Sequence, residues 1–311
     1  MKKFRKILVA VLTIAMIAVL GACSKQETAT TDTPDTTTET NTADTTTPEP
    51  TETAEPTDTA ETAGDLSGTV TITGSTSVEK PLTAMIDEFT ALNPDVTINY
   101  TGTGSSAGIS DAIAGANDIG ASSRELKDEE KVDGLNEVTF AFDGIAVAVN
   151  PENPITDLTM EDLAKIYSGQ ITNWKDVGGN DADIIVVSRE GASGTRAAFE
   201  ELIKLEDAGG LVEDATVVEG NGNVQTNVAG NANAIGYVSF SFIDESVKGI
   251  NVNEVEGTPE NAKAGTYPLS RPFLFVYTND KATPVVQAFI DFALSEDGQG
   301  FVEEHGGIRV D

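Results

Sequence analysis

Three short segments carry the residues that could do chemistry: Gly74-Ser75-Thr76-Ser77-Val78, Thr101-Gly102-Thr103-Gly104-Ser105-Ser106, and Ser188-Arg189-Glu190-Gly191-Ala192-Ser193-Gly194-Thr195-Arg196. Each lies between an apolar run and a helical pattern, so its small hydroxyl residues and glycines fall where the first backbone N–H groups of a helix have no partner. Such N–H groups bind anions, and glycine lets the backbone come close. A Ser or Thr there can also be an ordinary N-cap, satisfying its own helix without a ligand. Three such loops at the carboxyl ends of strands favour one shared cleft for an oxyanion, because open sheets bind ligands at that edge. The third loop adds Arg189 and Arg196. Arg189 can donate a two-pronged bond to a tetrahedral anion, whereas Arg196, inside the helix, can equally face solvent.

Enzyme patterns are present only in fragments. Gly102-x-Gly104-x-x-Ala107 imitates a dinucleotide fingerprint but is a weak match, and there is no Gly-Lys-Ser or Gly-Lys-Thr for a phosphate loop. Gly104-Ser105-Ser106-Ala107-Gly108 fits a nucleophile elbow with His305 downstream, yet His305 lies in a charged terminal stretch and reads as a solvated tail residue. Ser77-Val78-Glu79-Lys80 matches the acylating-serine pattern S-x-x-K without its K-T-G partner. One Cys, Cys23, and one His cannot make an internal disulfide or a Cys/His zinc cluster. The expectation is a protein that is not an enzyme and uses no metal or other cofactor.

Charge narrows the partners. The chain of 311 residues has 19 Lys plus Arg against 51 Asp plus Glu, a net charge of −32. That acidity argues against nucleic acid and against a broad contact with anionic lipid. Lys2, Lys3, Arg5 and Lys6 precede an apolar run, Ile7 to Ala22, shorter than the roughly 20 residues that span a bilayer. Residues 1–22 therefore read as an export signal rather than a retained membrane helix. Leu20-Gly21-Ala22-Cys23 resembles a bacterial lipobox, which makes Cys23 the expected lipidation site. Between Ser24 and Asp65 there are 17 Thr, 11 acidic residues and four Pro, with one basic residue and no aromatic. Such a segment cannot bury enough apolar area to offset its chain entropy, so 23–65 is expected to be a disordered tether beginning at Cys23, open to O-glycosylation.

The remaining 246 residues, 66–311, keep 14 basic and 40 acidic residues and a net charge of −26. Apolar runs at 69–73, 96–100, 145–149, 184–187 and 273–277 predict strands, and the patterns at 81–92, 159–168, 195–205 and 283–294 predict helices. Near-continuous apolar strands alternating with helices imply open, parallel α/β sheets, and the length suits two lobes.

The loops, with Ile119-Gly120-Ala121-Ser122-Ser123-Arg124, Ile171-Thr172-Asn173-Trp174 and Ala234-Ile235-Gly236-Tyr237-Val238 in that order, resemble the PstS family, the phosphate-binding lipoproteins of bacterial ABC importers. The resemblance covers nearly all of 66–311. It implies an α/β, two-lobed, type II periplasmic-binding-protein-like fold with two hinge crossovers, preceded by the disordered linker. Lobe 1 would comprise 66–149 and the return 271–311, with lobe 2 at 150–270. It further implies that Thr76, Ser77, Val78 (through its N–H), Ser105, Ser123, Arg189, Ser193, Gly194 and Thr195 bind inorganic phosphate. The protein would be a monomer, anchored by lipid on the extracytoplasmic face of a Gram-positive cell membrane, delivering its ion to the subunits of an ABC permease. The family often has Asp where Ser123 stands, a carboxylate that accepts the ligand's proton and repels sulfate. With Ser123 there, sulfate or molybdate remains an alternative ligand, and Glu190 and Asp143 are the acids considered for orienting Arg189 and for supplying an acceptor. A surface adhesin and a secreted serine hydrolase using Ser106 are the remaining alternatives.

Overall fold

The computed structural model describes residues 66–311, so the export signal, Cys23 and the Thr-rich tether lie outside the described residues. Alternating burial along β1 (Gly68–Gly74) and β2 (Val96–Gly102) leaves Val70, Ile72, Val96 and Ile98 facing the core. Between them α1 (Glu79–Leu92) lays Leu82, Met85, Ile86 and Phe89 on the sheet, the spacing of one helical face. α2 (Ser105–Ile113) leads to β3 (Ile119–Ser122), and β1 pairs in parallel with both β2 and β3.

The chain then runs into β4 (Leu135–Val149), a strand of 15 residues. After the short β5 (Asp157–Leu158) come α3 (Met160–Tyr167), β6 (Ile185–Arg189), α4 (Gly194–Leu202), β7 (Thr216–Val218) and α5 (Gly220–Ala229). They are followed by β8 (Ala234–Ser239), β9 (Lys248–Val252), α6 (Pro259–Lys263) and β10 (Ser270–Thr278), and α7 (Pro284–Leu294) with α8 (Glu296–Glu304) closes the chain. Thr159 caps α3 reciprocally with Asp162, and Thr283 caps α7 ahead of Pro284, so the sequence marks these starts locally.

The strand order is β2-β1-β3-β10-β4-β8-β6-β7, with β5 and β9 attached beside β4. The expected parallel pairing holds for β1 with β2 and β3, and for β6 with β7 and β8. It fails in the middle, where β10 is antiparallel to β3 and β4, and β4 is antiparallel to β8. An apolar run reveals burial on both faces but not strand direction, which here depends on the return of a distant segment.

Within β4 the partner changes: residues 135–144 pair with β10, and 145–149 pair with β8. Two hydrophobic cores lie on the two sides of that change. One gathers Ile72, Leu82, Phe89, Phe275 and Phe289, and the other Trp174, Tyr167, Phe199 and Tyr237. Gly144 sits at the junction, where a Cβ would meet Cζ of Phe240 at 2.0 Å, so only glycine lets the strand pass beneath that ring. The fold is a two-lobed α/β binding-protein architecture with two crossovers.

Candidate anion-binding cleft

The loops after β1, β2 and β3 meet the loop after β6 and the first turn of α5 between the two cores. The N-cap positions of α1 and α2 are Val78 and Gly104, and neither helix start has a side-chain cap hydrogen bond. The hydroxyls of Ser77 and Ser105 are therefore not used as helix caps, although capping was the simplest alternative for those loops. In the third loop Ser193 does cap α4, its Oγ accepting from the N–H of Arg196 at 3.1 Å.

Ser75, Ser77, Ser105, Ser123, Arg189, Ser193, Thr195 and Asn221 are all buried. Ser77 Oγ lies 2.8 Å from Thr195 Oγ1, joining the first loop to α4. Arg189 Nη2 donates to Thr76 Oγ1 at 3.2 Å, and the N–H of Ser106 donates to the carbonyl of Ala192 at 3.1 Å. Gly194 faces Ser105 and Ser123 so closely that a Cβ would stand 2.1 Å from Ser105 Oγ. Val78, the N-cap of α1, has its side chain in the core. The structure thus brings Thr76, Ser77, Ser105, Ser123, Arg189, Ser193, Gly194 and Thr195 together in a closed arrangement.

Arg189 is held by Glu190, whose carboxylate accepts from Nε at 2.8 Å and from Nη2 at 2.7 Å. Burial would raise the Glu190 carboxyl, but the hydrogen bonds and charge of Arg189, with backbone N–H groups, outweigh it and hold the group below the usual carboxylate range. Nη1 of Arg189 is buried and makes no hydrogen bond among the described residues. Arg196 turns away, pairing with Glu200 at 2.7 Å and bonding the carbonyl of Arg189 at 2.9 Å.

Two further residues escaped sequence reasoning. Asn221, in the first turn of α5, donates from Nδ2 to Thr76 Oγ1 at 3.2 Å and to Ser77 Oγ at 3.1 Å. Its signal was weak, an Asn in the Gly- and Asn-rich stretch 220–223. Arg271 of β10 donates to Ser77 Oγ at 3.0 Å, to the carbonyl and Oγ of Ser123 at 3.2 and 3.3 Å, and twice to Asp143 Oδ2 at 2.8 and 3.2 Å. A signal was available here: Asp143 and Arg271 each interrupt an apolar strand, and buried charges are paired.

Asp143 is consumed by this contact. Besides the guanidinium it accepts from Ser239 Oγ at 2.9 Å. Burial pushes its carboxyl above the ordinary range, and those donors pull it back. Burial likewise lowers Arg271, opposed by Asp143.

The serine-hydrolase alternative loses its geometry. Ser106 Oγ accepts from Arg124 Nη2 at 3.0 Å, a cation rather than a base, and Arg124 is itself fixed by Glu130 at 2.7 Å. Lys80 reaches across to the carbonyl of Ser241 and sits 4.6 Å above the ring of Phe242, so it does not serve Ser77. His305 ends α8, half-buried rather than fully solvated, beside Lys80 and Phe242. Among the described residues there is no cluster of side chains that could hold a metal ion, and no helix is long and apolar enough to cross a membrane.

Two lobes closing over a cleft of donors define a solute-binding protein, and the PBP superfamily domain matches residues 35–297. The phosphate-binding protein PstS of Borreliella burgdorferi is 35% identical over 250 residues, covering 78% of this chain and 90% of that protein. A solved structure with bound phosphate, of a protein from Clostridium perfringens described as a phosphate ABC transporter substrate-binding protein, is 47% identical with a TM-score of 0.76. That alignment covers 78% of this chain and all of the other. An ABC-type phosphate transport receptor from Vibrio cholerae is 41% identical with a TM-score of 0.67, over 77% of this chain and 99% of that one. The chain belongs to the PstS family of phosphate-binding proteins.

Proposed function

We propose that the protein captures inorganic phosphate between its lobes and hands it, unaltered, to an ABC permease. The observation that carries this reading is Arg189: a guanidinium fixed by Glu190, in a protein poor in cations, with Nη1 buried and unbonded among neutral donors. A desolvated donor of that kind costs about 1–3 kcal/mol when unmet, and an oxyanion meets it. Thr76, Ser77, Ser105, Ser123, Ser193 and Thr195 supply hydroxyls. Val78, Gly194 and Thr195 supply N–H groups at the starts of α1 and α4. Ligand contacts from both lobes favour the closed form, and the anion's binding free energy drives closure.

The lobes are proposed as 66–144 with 270–311, and 145–269, because the pairing of β4 changes at Gly144 and Ile145. That places the first crossover ahead of the expected 150. The protein acts as a monomer without catalysis, tethered by lipid at Cys23 to the outer face of a Gram-positive membrane. Sulfate or a related oxyanion is the second reading, favoured by the engagement of Asp143 with Arg271, which removes that carboxylate as an acceptor. Equilibrium dialysis of anion-stripped protein against labelled phosphate, with sulfate as competitor, tests both. Retention of phosphate against a tenfold excess of sulfate, on the order of a 1.4 kcal/mol preference or more, supports the first; retention of sulfate alone replaces it with the second.

A further inference from the structure

Beyond α8 the chain passes from one hydrophobic core to the other. Val302 of α8 is buried in the core of Leu82 and Phe289, whereas Ile308, 5% exposed, is buried in the core of Trp174 and Tyr237. Gly306 and Gly307 make the turn between them. Gly306 has φ +75°, a left-handed conformation open to glycine, and the N–H groups of Gly306 and Gly307 donate to the carbonyls of Glu303 and Val302. A Cβ on Gly307 would stand 2.7 Å from Cγ1 of Val302, so the chain can fold back this tightly only on glycine.

The segment 306–311 is held by both lobes. On the side of 66–144 and 270–311, Ile308 exchanges two backbone hydrogen bonds with Phe142 of β4, each 2.8 Å, and the N–H of Val310 donates to Oε1 of Gln299 at 3.0 Å. Phe142 stands just ahead of Gly144, where β4 changes partner, and is paired on its other edge with Pro272 of β10. Residue 308, β4 and β10 therefore lie side by side where the lobes join. On the side of 145–269, the core receives the side chain of Ile308, and Lys263 of α6 donates to the backbone oxygen of Asp311 at 3.0 Å. A cavity of about 190 Å³, lined by Pro259, Lys263, Gly307 and Arg309 among others, separates much of the segment from α6. Val310 is exposed, so Ile308 supplies the buried apolar contact of this segment.

We infer that residues 306–311 form a third, non-covalent tie across the hinge, which holds the lobes closed and slows release of the anion. The inference rests on the proposed capture of phosphate between two lobes. The backbone of Ile308 is fixed to β4 on one side of the hinge, and its side chain is lodged on the other. Rotation about residues 144–145 and 269–270 must draw that side chain from its core or part it from Phe142, and either exposes groups that the closed form buries. No residue of the segment is among the donors of the cleft. Its effect on phosphate is indirect: weakening a contact made only in the closed form speeds opening, and release depends on opening.

The test is a chase experiment. Protein loaded with labelled phosphate is mixed with excess unlabelled phosphate, and loss of label is timed for wild type, Ile308→Ala, Ile308→Val and Val310→Ala. Urea unfolding without phosphate shows that each protein is folded and measures its stability. Ile308→Ala should release phosphate about tenfold faster, since that change needs only part of what truncating a buried isoleucine costs. Ile308→Val lacks one methyl group and should release it about fourfold faster. Val310→Ala alters an exposed side chain of the same segment and should keep the wild-type rate. An Ile308→Ala protein that unfolds at lower urea yet releases phosphate at the wild-type rate overturns the inference, because that pattern belongs to a segment that moves with one lobe throughout. So does equal acceleration in Ile308→Ala and Val310→Ala, the pattern of general loosening. If Ile308→Ala does not fold, Ile308→Val decides: faster release supports the tie, and the wild-type rate overturns it. Folded wild type that retains no labelled phosphate refutes the underlying functional reading instead.

Discussion

Substituting Gly194 by alanine separates closing of the cleft from folding of the protein. A Cβ at that position would stand 2.1 Å from Ser105 Oγ, 2.7 Å from Ser105 Cβ and 2.7 Å from Ser123 Oγ, where ordinary contact begins at 3.4 Å. Rotation of Ser105 could move its Oγ, but its Cβ and the hydrogen-bonded Ser123 stay in place. The overlap is relieved only if α4 backs away from α2, and the bonds of Ser77 to Thr195 and of Ser106 to Ala192 then lengthen. Overpacking of this size costs about 1–3 kcal/mol. Charged to the closed form, it weakens phosphate binding by about 5- to 150-fold. Because the clash exists only when the lobes meet, the stability of the anion-free protein should change by less than about 0.5 kcal/mol. Gly191→Ala is the control, since a Cβ there meets nothing within 4 Å. Calorimetric titration with phosphate, paired with urea unfolding in its absence, reads both quantities. Wild-type affinity in Gly194→Ala would refute the claim that this contact closes on the ligand.

Asp143→Asn leaves Arg271 charged and buried without its counterion and should cost about 3–5 kcal/mol in urea unfolding; a loss under about 1 kcal/mol would mean that water reaches the pair. Arg189→Lys keeps the charge but loses the fork and should weaken phosphate binding by about tenfold to a hundredfold in dialysis; unchanged affinity would remove Arg189 from the site. Glu190 has a folded-state pKa below its unfolded value, so its contribution to stability is complete above about pH 4.5 and is lost as pH falls through the lower folded value. Glu190→Gln should therefore flatten the acid limb of a stability-against-pH curve, and an unchanged limb would contradict the pairing.

Much of this was legible in the sequence because it is local. The strands at 69–73 and 96–100 and the helix at 283–294 were marked by burial period and by caps such as Thr283, and they occur within a residue or two of those limits. The loop hydroxyls were legible for the same reason, since their place follows from the junction of strand and helix. What was hidden is what depends on distant segments meeting. β4 and β10 run antiparallel to each other, and that register sets Arg271 opposite Asp143, far away in the chain. Asn221 gained its role from its contact with Thr76 and Ser77, a pairing that no pattern within 220–223 encodes. Asp143 was considered as a free acceptor, and only the position of Arg271 shows that its lone pairs are already engaged.

The central claim, that donors from both lobes hold one phosphate ion, is tested most directly by calorimetric titration of folded, anion-stripped protein with inorganic phosphate. The account predicts saturation at one ion per chain, with binding lost in stages when Ser105 on one side and Arg189 on the other are replaced. Absence of heat and of any thermal stabilisation with phosphate, in protein shown to be folded, would contradict it.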